Sequence, residues 1–124
     1  AVIVKNDEVI STGYVGAPRG RANCTDLGFC QRDKLSIPRG QRYELCRSLH
    51  AEANAITKVA RSNNSSEGST LYVTASPCLE CSKLIIQAGI RRVVFNDLYR
   101  LSDGIDLLQR AGVECVHLSE LNNE

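Results

Sequence analysis

The stretch His50-Ala51-Glu52, together with Pro77-Cys78-Leu79-Glu80-Cys81 further along the chain, decides the expected fold and site. A catalytic zinc site takes three nitrogen or sulfur ligands from the protein and leaves a fourth position for water. His50, Cys78 and Cys81 match that count. If the second segment opens a helix, its two thiols lie on one side of the first turn and can hold the same ion. We therefore predict that both segments form one metal site, which the remaining chain positions.

The neighbours of these ligands add to the pattern. Pro77 suits a helix start, because the fixed φ of proline is tolerated where the first N–H groups have no partner within the helix. A helix N-terminus also favours the thiolate form of cysteine that binds metal. Glu52 lies two residues after His50, a spacing that does not stack side chains on one helical face. We therefore expect Glu52 to be the general acid and base beside the ion rather than a further ligand.

Each half of this pattern also has an ordinary explanation. A histidine and a glutamate in a first helical turn often form only a solvated helix end. A Cys-x-x-Cys pair also occurs in structural zinc knuckles and in redox pairs. Both halves in this order, with the proline, match the signature of zinc-dependent deaminases. The combined pattern therefore indicates a catalytic Zn²⁺ site.

The composition restricts the class of protein. A chain of 124 residues predicts a single domain spanning residues 1–124. The 15 basic and 14 acidic residues give a formal charge of +1, which argues against binding of long nucleic acid but leaves a small anionic ligand open. The sequence shows neither a membrane span nor a signal peptide. Because at least two of the six cysteines must be reduced to bind metal, we expect a cytoplasmic protein.

The hydrophobic pattern predicts the order of strands and helices. Residues 1–5 and 9–14 are predicted strands joined by a hairpin at Asn6-Asp7-Glu8, and residues 15–47 have the weak periodicity of a functional loop. The later segments alternate: helix 50–61, strand 69–75, helix 78–88, strand 92–96, helix 102–111 and strand 113–118. This alternation predicts an α/β fold, a three-layer α/β/α sandwich with a five-stranded mixed sheet.

Beyond the zinc signature, the chain resembles the deoxycytidylate (dCMP) deaminases of the cytidine deaminase superfamily. The resembling segments are residues 11–20, 23–24, 46–56 and 77–90. The resemblance implies conversion of dCMP to dUMP and ammonia, a pyrimidine nucleotide as ligand, a nucleotide effector, and a homo-oligomer between dimer and hexamer. The chain departs from the family at Val15, where members usually carry asparagine near the substrate's sugar or the effector. Members usually carry a helix before the first strand, and because this sequence begins at that strand we expect either a trimmed chain or a partner that covers that face.

Further candidates lie beside these segments. A phosphate requires arginines, hydroxyls or N–H groups, and five residues could supply them, although residues of these types are more often solvated surface residues: Arg19, Arg21, Asn23, Arg47 and Ser48. By resemblance, Tyr99 would stack on the base, or be an ordinary half-buried tyrosine, and the backbone around Ala51 would hold the base carbonyl. Some family members bind a second zinc, for which the candidates are Cys24, Cys30 and Cys46, the alternative being buried free thiols.

Two other functions are compatible with the zinc signature. A deaminase of another free nucleoside or nucleotide, or of tRNA adenosine, would carry the same pattern, although the near-neutral charge and the glycine-proline loop favour a nucleotide. A non-catalytic nucleotide-binding zinc protein would not require Glu52. The sequence therefore predicts a hydrolase that acts on a C–N bond of a cytosine nucleotide.

Overall fold

The structure, a computed structural model, describes residues 1–16, 49–98 and 102–121. Its strands are β1 (Val2–Lys5), β2 (Glu8–Thr12), β3 (Thr70–Ala75), β4 (Arg92–Asp97) and β5 (Glu114–His117), and its helices are α1 (Ala51–Ala60), α2 (Leu79–Gln87), α3 (Asp103–Arg110) and α4 (Leu118–Leu121). No helix in these ranges is long and apolar enough to cross a membrane.

The strands form a mixed sheet in the order β2-β1-β3-β4-β5. β1 is antiparallel to β2 and to β3, whereas β3, β4 and β5 are parallel. Asn6 and Asp7 both have positive φ, 52° and 64°, as a two-residue hairpin turn requires. The predicted five-stranded mixed sheet is therefore confirmed, with β2 beginning one residue earlier than expected, at Glu8.

The main hydrophobic core lies between one face of the sheet and helices α1, α2 and α3. Its fully buried members come from strands and helices alike: Ile3, Ala55, Leu71, Ile85, Val93 and Leu108. Val94 and Val116 alternate with core residues along their strands and so lie on the opposite face, where they are also buried. α4 contacts β4 and β5. Both faces are thus covered at the parallel side of the sheet, as the predicted sandwich requires.

The last predicted strand ends earlier than expected. Residues 113–118 were expected to form it, but pairing stops at His117, which lies opposite Phe95, and Leu118 begins helix α4. The backbone N–H of Ser119 donates to Nδ1 of His117 at 3.2 Å. This local hydrogen bond favours a turn over continued strand pairing.

Candidate metal and catalytic site

Both predicted half-sites lie at helix N-termini. His50 is the N-cap residue of α1 and Cys78 is the N-cap residue of α2, each with extended backbone dihedrals. Neither side chain makes a capping hydrogen bond to its own helix. Helix α2 was predicted over residues 78–88 and spans Leu79–Gln87, so that Cys78 caps the helix and the buried Pro77 precedes the cap.

The imidazole of His50 and the two thiols converge on one point. Nδ1 of His50 lies 3.5 Å from Sγ of Cys78 and 3.4 Å from Sγ of Cys81. Candidate ligand atoms of these three residues all lie within 4.8 Å of one another. A tetrahedral zinc ion with typical bond lengths of about 2.0–2.1 Å to nitrogen and about 2.3 Å to sulfur would separate them by about 3.5 Å. The donor set therefore fits zinc in both chemistry and spacing.

The two thiols differ in acidity. A hydrogen bond from Cys81, with a smaller effect of His50, lowers the pKa of Cys78 to about 4 against the opposing effect of burial. The same hydrogen bond, together with burial, raises the pKa of Cys81 above its usual range. Of the two thiols, Cys78 is therefore the more readily ionised.

The carboxyl group of Glu52 lies against the same cluster. Burial raises its pKa above the ordinary value, and a backbone hydrogen bond and the charge of His50 oppose that rise in part. A raised pKa lets a carboxyl keep its proton to a higher pH than usual, which is the direction that a general acid and base requires. Glu52, His50 and Cys78 line a cavity of about 190 Å³. The fold and site thus define an α/β protein with a zinc-type ligand set beside a half-buried carboxylate.

The first turn of α1 lies very close to the end of β2. A Cβ atom on Gly13 would be 2.3 Å from the carbonyl oxygen of Ala51 and 2.6 Å from the backbone nitrogen of Ala55. Oγ of Ser11 donates to the carbonyl of Ala55 at 2.8 Å in a buried contact. Gly13 and Ser11 therefore determine how closely the turn that carries Glu52 approaches the sheet.

The remaining predicted site residues divide into two groups. Ala51 lines the cavity, and its predicted contact with the base carbonyl stays a prediction. The other candidates lie outside the described residues and stay predictions: Arg19, Arg21, Asn23, Arg47, Ser48 and Tyr99 for substrate, and Cys24, Cys30 and Cys46 for a second metal.

The cavity also has walls that the sequence interpretation missed. Residues 73–76, at the carboxyl end of β3, line it. Val15, by contrast, was already a candidate from the sequence and lines the cavity as well. Ligands commonly bind outside the carboxyl ends of parallel strands. The position of Thr74 and Ser76 directly before the Pro77-Cys78 motif was therefore a usable signal for cavity residues.

Comparisons with known proteins agree with this geometry. The family described as "Cytidine and deoxycytidylate deaminase zinc-binding region" matches residues 1–97. A relative from Enterobacteria phage T2, named deoxycytidylate deaminase, is 34% identical over 155 aligned positions, covering 100% of this chain and 82% of the relative. A relative of the same name from Schizosaccharomyces pombe is 40% identical over 114 positions, covering 91% of this chain and 35% of the relative.

A solved structure is similar as well. The dCMP deaminase of cyanophage S-TIM5, determined in complex with dCMP and dUMP, has a TM-score of 0.77 at 39% identity, and the match covers 94% of this chain and 78% of that one. The chain therefore belongs to the cytidine and deoxycytidylate deaminase family, whose fold it shares. Zinc is its cofactor, as the family's zinc-binding region and the His/Cys/Cys cluster both indicate.

Proposed function

We propose that this chain hydrolyses a cytosine nucleotide, converting dCMP to dUMP and ammonia. His50, Cys78 and Cys81 are the proposed zinc ligands, and Glu52 is the proposed general acid and base. The observation that carries the proposal is that Glu52 lines a single cavity together with His50 and Cys78, two of the three clustered ligands. The relatives named deoxycytidylate deaminase, and the cyanophage enzyme's complex with dCMP and dUMP, support the choice of substrate.

The residues of the chain have distinct tasks in this reaction. When bound, zinc supplies a Lewis acid that activates water as a nucleophile near neutral pH. Glu52 would accept a proton from that water and deliver it to N3 of the pyrimidine as the hydroxyl adds to C4. It would then take the proton of that hydroxyl and pass it to the amino group, so that the C4–N bond breaks, ammonia leaves and the C4 carbonyl forms. Because burial raises the pKa of Glu52, the carboxyl is suited to both halves of this transfer.

The size of the cavity is consistent with recognition of a base at its inner end. Its volume of about 190 Å³ is below the about 300–1,000 Å³ of sites that enclose a whole small molecule. We therefore expect the pyrimidine ring, rather than the whole nucleotide, to occupy it. The sugar and phosphate would lie outside, and Arg19, Arg21, Asn23, Arg47 and Ser48 are the proposed phosphate and sugar contacts, with Tyr99 stacking on the base.

The test is ammonia release from dCMP by the wild type, Glu52→Gln and Glu80→Gln, with zinc content measured for each. Glu80 is a matched control, because it occupies the first turn of α2 but is exposed and pairs with Lys83 at 3.2 Å. We expect Glu52→Gln to keep zinc and lose turnover by at least about 100-fold, the lower limit for a general acid and base. Glu80→Gln should keep both.

The same assay distinguishes the alternatives. Turnover of CMP, dCTP, deoxycytidine or tRNA adenosine in preference to dCMP would replace the proposed substrate. A zinc-loaded wild type that binds dCMP but turns over none of these compounds would support the non-catalytic nucleotide-binding protein. Retention of full activity by Glu52→Gln would contradict the proposed role of that carboxylate.

We further propose, from the family resemblance, a homo-oligomer between dimer and hexamer and feedback by a nucleotide effector. Exposed apolar side chains such as Val9 and Leu98 are compatible with subunit contacts, and light scattering would measure the mass of the assembly.

A single domain over residues 1–124 predicts one cooperative unfolding transition. The reduced thiols favour a cytoplasmic location, testable by cell fractionation. A zinc count near one per chain would exclude a second metal at Cys24, Cys30 and Cys46.

A further inference from the structure

Helix α3 lies very close to the segment that carries the first cysteine ligand. Gly104, buried in the first turn of α3, has no side chain at the point of closest approach. A Cβ atom there would lie 2.2 Å from the carbonyl oxygen of Pro77 and 3.0 Å from that of Cys78. Gly104 does not have a left-handed φ, so the reason for glycine is space rather than backbone conformation.

Ser82 lies in the same contact. Its side chain is fully buried, and its Oγ donates to the carbonyl oxygen of Cys78 at 2.8 Å. The backbone N–H of Ser82 donates to the same carbonyl at 2.9 Å. A Cβ atom at position 104 would also lie 2.7 Å from Oγ of Ser82. The Cys78 carbonyl is thus held by two hydrogen bonds, and α3 packs directly against them.

We propose that Gly104 and Ser82 are positioning residues that fix the backbone of Cys78, and through it the direction in which its thiol meets the metal. Gly104 lies outside residues 1–97, the part of the chain that the family description matches. The inference rests on the proposed zinc site and adds a part of the chain that the zinc signature does not contain.

The distances show why the contact matters for coordination. With an alanine at position 104, the gap to the Pro77 carbonyl must open from 2.2 Å to the 3.4 Å of ordinary contact, a change of 1.2 Å. Metal–ligand distances tolerate deviations of only about 0.2 Å. α3 cannot simply withdraw, because Leu108 on the same helix is fully buried in the core. Part of the displacement therefore reaches Cys78.

The experiment measures Co²⁺ binding by competition with a chromophoric chelator, and the ligand-field and thiolate charge-transfer absorption of bound Co²⁺. Gly104→Ala is compared with Gly112→Ala, at the other end of α3. Position 112 has a φ of 87° and no atom within 4 Å of the added Cβ, so alanine strains the backbone without touching the site. We expect Gly104→Ala to lower Co²⁺ affinity by about 10–100-fold and to change the absorption spectrum, as loss of a residue that orients a ligand does.

Gly112→Ala should lower only the denaturation midpoint. Ser82→Ala, which removes one hydrogen bond without adding volume, should lower Co²⁺ affinity and alter the spectrum in the same direction as Gly104→Ala. If Gly104→Ala does not fold, Ser82→Ala alone tests the proposal. Wild-type affinity and spectrum in Ser82→Ala, or equal losses in Gly104→Ala and Gly112→Ala, would overturn the proposal. Failure of the wild type itself to bind Co²⁺ would instead contradict the proposed metal site.

Discussion

Replacement of Gly13 by alanine tests whether the position of α1 controls catalysis. The added Cβ would lie 2.3 Å from the carbonyl oxygen of Ala51, one residue before Glu52. An ordinary contact of 3.4 Å requires the two segments to separate by 1.1 Å. The same atom would lie 2.6 Å from the backbone nitrogen of Ala55, so sliding along the helix axis brings no relief. The first turn of α1 must therefore move relative to β2.

Side-chain hydrogen bonds resist this separation. Nδ2 of Asn54 donates to the Tyr14 carbonyl at 3.0 Å, and Nζ of Lys58 donates to the Thr12 carbonyl at 2.9 Å. A separation of 1.1 Å along either bond would lengthen it to about 4 Å, beyond the about 3.2 Å limit of a good N–H···O bond. Gly13→Ala should therefore both strain the contact and weaken these bonds, and we expect a loss of about 1–3 kcal/mol in the free energy of unfolding, as for other overpacked sites.

The kinetic effect should be larger than the effect on folding. A misplacement of about 1 Å in a catalytic group can lower the rate about 100-fold, and we expect a loss of that size in kcat/KM for dCMP. Gly68→Ala is the control, because position 68 has a φ of 77° and open space around the added Cβ. It should lose about 1–2 kcal/mol of stability and keep wild-type kcat/KM. Ammonia release and urea unfolding measure both quantities. Wild-type kcat/KM in Gly13→Ala would refute the reasoning.

Three further predictions concern the ligands and the core. Cys78→Ser should abolish retention of zinc through gel filtration, whereas Cys115→Ser, a half-buried thiol outside the cluster, should leave the zinc content unchanged. Zinc affinity, measured by chelator competition, should rise with pH by up to about tenfold per unit, because the raised pKa of Cys81 means that binding releases its proton. Affinity that falls as pH rises would contradict this. Ile85→Ala should lower the free energy of unfolding by about 2–5 kcal/mol in a urea titration, whereas Leu84→Ala, on the exposed side of α2, should change it by less than about 0.5 kcal/mol.

The parts of the fold that depend on local sequence were predictable. Asn6 and Asp7 tolerate positive φ, which gave the hairpin, and Gly89 and Gly112 mark where the structure ends α2 and α3 with φ of 77° and 87°. The metal ligands were equally visible, because a Cys-x-x-Cys pair at a helix start brings two sulfurs together without help from distant residues. In each of these positions, a short segment already determines the geometry.

Contacts between distant segments were not predictable in the same way. Ser11 and Ala55 are 44 residues apart, and the hydrogen bond between them depends on how β2 packs against α1. Gly104 is an unremarkable helix residue in the sequence, and only the packing of α3 against Pro77 shows why a larger side chain does not fit there. Helix α4 was missed for a related reason, since the backbone bond to His117 that favours it leaves no periodic pattern.

The contacts of Gly13 and Gly104 explain how the fold sets the distance between His50 and Cys78. The zinc signature supplies the ligand types, but His50 and Cys78 begin different helices, and no bond in the signature fixes the distance between those helices. α1 is positioned against β2 at Gly13, and the start of α2 is positioned against α3 at Gly104. Gly13 contacts Ala51, which lies between His50 and Glu52 in the sequence. Gly104 contacts the backbone of Cys78, which is itself a proposed ligand. A chain with the same signature but bulkier residues at both positions would carry the same ligands at a different separation, and should therefore bind zinc more weakly.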